Sequence, residues 1–290
     1  MTLPDFIGIG AQKAGTTTLY HILSQHPQIR MAKWKEVHFF NKDAHYQKGT
    51  EWYAETLPSK PADTLIGEIT PAYLFHDDVP ERIYRSLDHC DVKFIVMLRD
   101  PIDRAYSHFL MNKRDPNVET LSFQEAIDRE GERIRKNPTN KGRYAYLTRS
   151  YYSRQIRRYF KYFSKDQMCF VIFERLKSDH HQDELGRLYD FLGIKRAFPN
   201  EIEQSNPTKH LSNSTLSSFI HAESPTMKKI RRTLVPSKKL RDSIINFLSQ
   251  KPGKLDDNMK KELREKYFTK EIHELENLID RDLCIWKYKN

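Results

Sequence analysis

A glycine turn near the N-terminus constrains the fold of this chain more than any other feature. The apolar run Phe6-Ile-Gly-Ile-Gly10 enters the turn, and a threonine-rich segment that begins at Thr16 leaves it. This order predicts a strand, a tight loop and the first turn of a helix. The first N–H groups of a helix lack partners within the helix and lie at the positive end of its dipole. The turn therefore predicts an anion-binding site.

The position of one lysine separates this turn from a nucleoside triphosphate-binding loop. Gly10 and Gly15 have the spacing of the pattern G-x-x-x-x-G-K-[ST], but Thr16 stands at the lysine position and Lys13 lies inside the loop. Kinases and ATPases need that lysine on the β and γ phosphates and the next hydroxyl on a metal ion. The displaced lysine disfavours a P-loop nucleotide kinase, which stays open as an alternative. A turn that only connects a strand to a helix is the other alternative.

Length and composition indicate one folded domain. The 290 residues are 38% hydrophobic and 30% charged, which suits a chain with a real core and excludes low-complexity and repeat proteins. We predict a single domain over residues 1–290, with an α/β core at 1–195 and a helical extension at 196–290. No apolar run is long enough for a membrane span, and no basic and apolar leader precedes the first strand. We therefore expect a soluble, cytoplasmic protein.

The charge balance indicates an anionic partner. Lysine and arginine total 49 against 39 acidic residues, which gives a formal net charge of +10. A nucleotide with several phosphates or a polyanionic polymer would be a partner of complementary charge. A protein that binds nucleic acid through charge alone would not need a glycine turn, so we predict no nucleic-acid partner. Three widely separated cysteines fit neither a disulfide framework nor a zinc site, and we predict no metal site.

Short apolar runs alternate with segments of helical periodicity. The runs are nearly continuous, as in strands buried on both faces, and occupy residues 6–9, 65–69, 92–98 and 168–173. The order predicts a P-loop-like, three-layer α/β fold, in which helices flank a central parallel sheet through right-handed crossovers. Ligands of such sheets bind at the carboxyl ends of the strands.

A second segment carries candidate phosphate ligands. Arg99 ends a buried run and precedes Asp100 and Pro101, a favourable cap and first residue of a helix. At the carboxyl end of a strand its planar guanidinium would face the ligand crevice and suit a phosphate, and Ser107, about two turns into the helix, could point its hydroxyl at the same anion. The alternative is a surface ion pair of Arg99 with Asp100 or Asp103.

The segment Lys35-Glu-Val-His-Phe-Phe40 supplies candidate bases. Glu36 and His38 are two residues apart and would share one face if the segment is extended. Either could remove a proton from an acceptor hydroxyl within hydrogen-bond reach. Alternatively, Glu36 pairs with a lysine and His38 is structural. Glu68, near the end of another apolar run, could orient the acceptor or the loop lysine, or cap the turn at Pro71.

Together these motifs resemble the sulfotransferase superfamily, most closely its heparan sulfate branch and bacterial relatives. The matching motifs are K-x-G-T-T-x-L from Lys13, K-E-x-H-F-F from Lys35, G-E-x-T-P-A-Y from Gly67, and R-D-P from Arg99 followed by a serine. Residues 79–84 and 149–152 and a final tryptophan, Trp286, extend the likeness. The resemblance covers most of residues 1–195 and, weakly, the C-terminal end.

The resemblance implies a donor, a set of site residues and a mechanism. The donor is 3'-phosphoadenosine 5'-phosphosulfate (PAPS), the product is 3'-phosphoadenosine 5'-phosphate (PAP), and no metal takes part. Lys13 would offset the charge that grows on the departing phosphate, and Glu36 would act as the general base. The other implied donor contacts are Ala14, Gly15, Thr16, Thr17 and Thr18 near the phosphosulfate, and Arg99 and Ser107 at the 3'-phosphate. His38 completes the catalytic set, and the predicted substrate contacts are Lys35, Glu68 and Tyr152.

The acceptor is the least constrained part of the prediction. We expect a hydroxyl or amine of a carbohydrate, with a lipid or another small-molecule natural product as the alternative. An aromatic cluster would line either kind of site and comprises Tyr144, Tyr146, Tyr151 and Tyr152.

Two departures from the heparan sulfate branch limit the resemblance. Ile69 stands where that branch has the lysine of its E-K-T-P-A-Y turn, and the cysteine-bracketed loop of the branch is absent. A basic stretch at residues 228–241 either substitutes for that loop or is the solvated face of helices, and we favour the second interpretation. From Leu211 onward the sequence pattern predicts helices. The sequence does not indicate the oligomeric state.

Overall fold

The computed structural model describes residues 2–87, 91–199 and 253–287, together with the backbone of two short strands at 210–211 and 249–250. Cys90 and the basic stretch at 228–241 lie outside these residues. Cys169 and Cys284 are free thiols. Within the described ranges, no helix combines the length and the apolar character that a membrane crossing requires.

A five-stranded parallel sheet forms the centre of the fold, as the alternating pattern predicts. Its strands are β1 (Phe6–Gly10), β2 (Ile29–Met31), β3 (Leu65–Ile69), β4 (Lys93–Leu98) and β5 (Met168–Ile172). Their order in the sheet is β2-β3-β1-β4-β5. All residues of β1 and β5 are buried, which explains why both strands are continuous apolar runs rather than alternating ones. The edge strand β2 has no counterpart in the prediction, because three residues are too few for a periodic pattern.

The register places the carboxyl ends of neighbouring strands side by side. Ile7 of β1 pairs with Glu68 of β3 and with Phe94 of β4. Leu98, the last residue of β4, pairs with Ile172, the last residue of β5. The loops that follow β1, β3, β4 and β5 therefore leave the sheet at the same edge, where ligands of parallel sheets bind.

Helices flank the strands, and the last two of them carry the helical pattern predicted for the C-terminal part of the chain. The helices of the described residues are α1 (Thr16–Gln25), α2 (Asp43–Tyr46), α3 (Gly49–Glu55), α4 (Val79–Ser86), α5 (Pro101–Lys113), α6 (Phe123–Asp128), α7 (Glu130–Lys136), α8 (Lys141–Tyr144), α9 (Tyr152–Tyr159), α10 (Phe173–Leu176), α11 (His181–Leu192), α12 (Asp257–Tyr267) and α13 (Thr269–Ile279). Short 3-10 segments lie at Pro138–Asn140, Thr148–Ser150, Lys165–Gln167 and Cys284–Trp286. The pair of strands at 210–211 and 249–250 is antiparallel, where the sequence predicted helix alone.

Contacts divide the chain into two compact units. The first comprises Met1–Arg104, Arg149–Ser205 and Lys261–Asn290, and it contains the five-stranded sheet. The second comprises Ala105–Thr148 and Asn206–Lys260. The predicted division into a core at 1–195 and an extension at 196–290 therefore differs from the division that the contacts define. The assignment of the whole chain to one domain stays a prediction.

Charged and polar groups join the last two helices to earlier residues of the first unit. The carboxylate of Glu271 on α13 accepts hydrogen bonds of 2.7 Å from the backbone N–H and from the hydroxyl of Ser153 on α9. The buried Arg264 on α12 forms an ion pair with Asp100, whose carboxylate also accepts bonds from the first N–H groups of α5. Partners so distant in the sequence leave no local pattern from which these contacts could be predicted.

Candidate active site

The turn after β1 is a tight loop that only glycine can complete. Gly15 has a φ of 93°, in the left-handed region, and a Cβ at this position would lie 2.4 Å from the ring of Phe173. The N–H of Ala11 donates to the carbonyl of Met97 on β4 at 2.7 Å, which ties the loop to the neighbouring strand. Helix α1 then begins at Thr16, and its N-cap residue Gly15 has no side chain with which to cap it. The first N–H groups of α1 are thus a candidate site for an anionic ligand.

Two arginines hold the backbone of this loop. Arg99 donates from Nη1 to the carbonyl of Lys13 at 3.2 Å, and Arg104 donates from Nη1 to the carbonyl of Gln12 at 3.3 Å. Arg104 is fully buried, and its Nε donates to Oγ of Ser150 at 2.7 Å. Lys13 has a φ of 71°, which is uncommon for a residue with a side chain. Arg104 was not among the residues predicted from the sequence. Its only signal there is its position, as an arginine early in the helix that follows Arg99.

Arg99 and Lys177 form a cationic pair beside the loop. Cζ of Arg99 lies 5.0 Å and Nζ of Lys177 lies 4.4 Å from the centroid of the Phe173 ring, the same ring that borders Gly15. Nε of Arg99 is buried and has no hydrogen-bond partner within the described part of the chain. Burial, and then the charge of Arg99, lowers the pKa of Lys177.

This cationic pair fits an anionic group such as a phosphate, which would neutralise two neighbouring charges and satisfy a buried N–H. No sequence signal identifies Lys177, because it reaches the site only through the pairing of β5 with β4. The described residues contain no group of three or more His, Cys, Asp or Glu side chains placed to hold a metal ion.

The surroundings of Arg99 correct one predicted contact and leave another as a prediction. Tyr152, predicted to bind substrate, is fully buried, and its hydroxyl donates to the carbonyl of Arg99 at 2.9 Å. Burial raises the pKa of this tyrosine. Tyr152 therefore supports the Arg99 turn and cannot contact an acceptor directly. The buried Asp100 pairs with Arg264, so it does not form the surface pair with Arg99 that the sequence left open. Ser107 is buried on α5 and belongs to the second unit, and its predicted phosphate contact stays a prediction.

The segment after β2 is turned rather than extended. Glu36 has a φ of 65° and His38 a φ of 56°, so the extended backbone that would place both side chains on one face is not present. The turn nevertheless brings the two side chains together, with Nε2 of His38 3.5 Å from Oε2 of Glu36. Nζ of Lys35 lies 2.6 Å from Oε1 of the same carboxylate. The pairing of Glu36 with a lysine, considered above as an alternative to a catalytic role, is present alongside the glutamate–histidine pair.

The partners of Glu36 keep its carboxylate ionised. Its pKa is lowered to about 2, chiefly by the hydrogen bond with His38 and further by the hydrogen bond and charge of Lys35, while partial burial opposes the shift. Nδ1 of His38 lies 3.1 Å from Oδ1 of Asn41, a contact that orients the ring. The side chain of Glu36 is 38% exposed, so a substrate can reach it. A charged, accessible carboxylate can accept a proton from a nucleophile within hydrogen-bond reach.

Glu68 is buried next to this segment, and its environment does not support the predicted substrate contact. It is completely inaccessible to solvent. Its carboxylate accepts hydrogen bonds from the hydroxyls of Tyr53 at 2.7 Å, Thr70 at 2.7 Å and Tyr73 at 3.0 Å. Burial raises the pKa of Glu68, although the three hydroxyl donors oppose the shift. Because Glu68 is fully buried and its carboxylate accepts bonds from three protein hydroxyls, the described structure shows no path by which it contacts an acceptor directly.

The four tyrosines predicted to line one acceptor site are divided between the two units. Tyr144 and Tyr146 lie in the second unit, and Tyr151 and Tyr152 lie in the first. The hydroxyl of Tyr146 donates to the buried Glu119 at 2.6 Å. The ring centroid of Tyr151 lies 4.9 Å from that of Phe268. These contacts are made within the protein, and they give no support to a single aromatic lining.

Comparisons with known proteins agree with this geometry. The family model described as "Sulfotransferase domain" matches residues 3–268. Heparan sulfate glucosamine 3-O-sulfotransferase 3B1 of Homo sapiens is 36% identical over 211 residues, which cover 71% of this chain and 50% of that protein. Heparan sulfate glucosamine 3-O-sulfotransferase 5 of Mus musculus is 32% identical over 208 residues, which cover 70% of this chain and 56% of that protein. The chain thus spans about half the length of the curated relatives it matches.

A solved bacterial structure is similar to this chain over nearly its full length. The sulfotransferase from Alicyclobacillus acidocaldarius has a TM-score of 0.69 and 25% sequence identity, and the match covers 99% of this chain and 100% of that one. The fold class predicted from the alternating pattern is confirmed by this neighbour and by the five-stranded sheet. The family match extends over more than half of the chain and confirms the resemblance read from the motifs. This chain belongs to the sulfotransferase domain family, whose enzymes transfer sulfuryl groups.

Proposed function

We propose that the protein transfers a sulfuryl group from PAPS to a hydroxyl or amine of a carbohydrate, with Glu36 as the general base. One observation carries the proposal: near the carboxyl ends of β1, β4 and β5, the start of α1 borders the ring of Phe173 through Gly15, and Arg99 and Lys177 lie over the same ring. Arg99 also donates to the carbonyl of Lys13 in the adjoining loop. Such a site suits a ligand with phosphate groups and differs from a Walker A loop in the position of its lysine.

The residues present fit the proposed donor. When bound, PAPS supplies an activated sulfuryl group on a phosphate leaving group. We assign Lys13 and residues 14–18 to its phosphosulfate, and Arg99 and Ser107 to its 3'-phosphate, with the buried Nε of Arg99 as the unsatisfied donor that supports the assignment. Lys177 adds a second cation beside Arg99. In the proposal Lys13, rather than a metal ion, offsets the charge that develops on the leaving oxygen.

Glu36 and His38 supply the acid–base chemistry in this proposal. Glu36 takes the proton from the attacking oxygen or nitrogen, and the His38 ring lies next to the carboxylate that receives it. Lys35 holds the other carboxylate oxygen and thereby fixes the orientation of the base.

A carbohydrate acceptor is supported by three observations. The named relatives are heparan sulfate glucosamine sulfotransferases, and the chain carries a net charge of +10, which favours an anionic acceptor. Trp34 lies two residues before Glu36 in the sequence and is 55% exposed, so its ring is accessible to the apolar face of a sugar. A lipid or other small-molecule acceptor is the alternative. The cytoplasmic location read from the sequence stays a prediction.

Ligand-dependent thermal unfolding tests the donor assignment. In the presence of a chelator, PAP at about 100 times its Kd should stabilise the protein by about 2.7 kcal/mol, because it binds only the folded state. ATP with magnesium is the control. Stabilisation by ATP and magnesium but not by PAP would reject the donor assignment in favour of a nucleotide kinase. Transfer of radiolabelled sulfate to cell-wall, capsular and lipid extracts then identifies the acceptor class.

The pH dependence of catalysis tests the role of Glu36. Because the pKa of Glu36 is lowered to about 2, its carboxylate stays charged as the pH falls. Protonation of this base should therefore not reduce kcat/KM until the pH falls below about 3. His38→Ala removes the largest cause of the lowering, so the pKa should rise toward the ordinary value of 4.5 and the acid limb should move to higher pH. Profiles of kcat/KM for both proteins, restricted to pH values at which each stays folded, measure the shift. A Glu36 limb that stays in place in His38→Ala contradicts the assignment.

A further inference from the structure

A buried hydrogen-bond network lies between Glu68 and the backbone of the Glu36 segment. The hydroxyls of Thr70 and Tyr73 both donate to Glu68. The same two hydroxyls accept from the segment: the N–H of His38 donates to Oγ1 of Thr70 at 3.4 Å, and the N–H of Phe39 donates to the Tyr73 hydroxyl at 2.9 Å. The N–H of Phe40 also donates to the Tyr73 hydroxyl, at 3.5 Å. The Thr70 hydroxyl therefore joins the carboxylate to one N–H group of the segment, and the Tyr73 hydroxyl joins it to two.

The chemistry of a hydroxyl gives this network a direction. A hydroxyl has one proton to donate and two lone pairs with which to accept. Because the protons of Thr70 and Tyr73 are committed to Glu68, their lone pairs are presented to the N–H groups of His38 and Phe39. A carboxylate only accepts, so Glu68 fixes the orientation of both hydroxyls at once.

The segment needs such support because its backbone is strained. Glu36 and His38 both have left-handed φ angles, and a conformation of this kind persists only where the surroundings determine it. The N–H of Glu36 donates to the carbonyl of Ile69 at 3.2 Å, directly before Thr70 in the chain. The end of β3 and the turn after it thus bind the N–H groups of Glu36, His38 and Phe39.

We propose that Glu68 is a positioning residue for catalysis, which acts through the Thr70 and Tyr73 hydroxyls to hold Glu36 and His38 in their working geometry. The inference rests on the proposed function, because it takes Glu36 as the base. Glu68 does not touch the substrate; it determines where the base lies.

The chain offers a matched control in Tyr53. Its hydroxyl donates to the same oxygen of Glu68 as that of Tyr73, but the Tyr53 hydroxyl makes no hydrogen bond to the segment in the described structure. Tyr53→Phe therefore removes one donor from Glu68 and keeps the ring that stacks on Phe39. Thr70→Val removes a donor from Glu68 and the acceptor of the His38 N–H, and Tyr73→Phe removes a donor from Glu68 and the acceptor of the Phe39 and Phe40 N–H groups. Thr70→Ser keeps the hydroxyl and serves as the rescue variant.

Two readouts test the proposal at a temperature at which all variants are folded. We expect Tyr73→Phe and Thr70→Val to lower kcat about 10-fold to 100-fold with unchanged PAP affinity, because a small displacement of the base is costly for the rate. Tyr53→Phe and Thr70→Ser should stay within about 3-fold of the wild-type kcat. Amide hydrogen exchange at Phe39 should accelerate in Tyr73→Phe, and exchange at His38 should accelerate in Thr70→Val, but neither should change in Tyr53→Phe.

The exchange readout separates a failure of this proposal from a failure of the proposed function. If the protein transfers no sulfate but exchange at His38 and Phe39 responds as expected, the network holds the segment and the proposed function is wrong. An equal loss of kcat in Tyr53→Phe and Tyr73→Phe would overturn the positioning role, since the network would then only stabilise the fold. Unchanged exchange in both Tyr73→Phe and Thr70→Val would overturn it as well.

Discussion

Replacing Lys13 with alanine should reduce kcat by about 10²–10³-fold or more and should weaken the binding of PAP. The expected loss is large because this ammonium group is the one that we assign to the charge developing on the leaving phosphate oxygen. Lys13 lies in the loop whose carbonyl groups Arg99 and Arg104 hold, so its backbone is fixed independently of its side chain. Steady-state kinetics and calorimetric titration with PAP measure the two effects.

The left-handed backbone of Lys13 provides the control for this experiment. Its φ of 71° strains any residue with a side chain, and glycine relieves that strain. Lys13→Gly and Lys13→Ala therefore both remove the charge, but only the glycine variant relaxes the backbone. Equal losses of kcat in the two variants assign the effect to the ammonium group, and recovery in Lys13→Gly would assign it to the conformation of the loop. Near-normal kinetics in both variants would refute the role of Lys13.

The sequence predicts those parts of the site in which a functional residue lies close in the chain to the strand end or helix start that positions it. The glycine turn, the displaced lysine and the arginine after β4 each combine a strand end with an anion-binding residue type, and the alternation of apolar runs implies a parallel sheet. Lys13 and Arg99 are found in contact through a backbone carbonyl. Glu36 and His38 also meet, although by a turn rather than by an extended backbone.

The parts that escaped prediction depend on contacts between distant parts of the chain. Lys177 joins Arg99 because β5 pairs with β4, and the order of strands cannot be read from the pattern of apolar runs. The left-handed φ angles of Glu36 and His38 are stabilised by groups at the end of β3 and in the turn after it. The motifs of Glu68 and Tyr152 match a functional family and therefore predict substrate contacts, whereas burial gives both residues supporting roles.

Replacing Glu36 with glutamine should leave PAP affinity intact and reduce kcat by about 10²–10⁴-fold, the contribution typical of a general base. Glutamine has nearly the same shape and can still accept a hydrogen bond, but it cannot take a proton from the acceptor. Among the described residues, the proposed donor site around Phe173 contains none of the groups that contact Glu36, so the two effects should separate cleanly.

His38→Ala is the matched comparison for Glu36→Gln. It leaves the carboxylate and its Lys35 partner in place, so we expect a smaller loss of kcat together with the shifted acid limb described above. If His38→Ala loses kcat as completely as expected for Glu36→Gln while Glu36→Gln stays active, the imidazole is the base and the assignment is reversed. The outcome is decisive because the two side chains lie 3.5 Å apart and an acceptor that reaches one of them lies near the other.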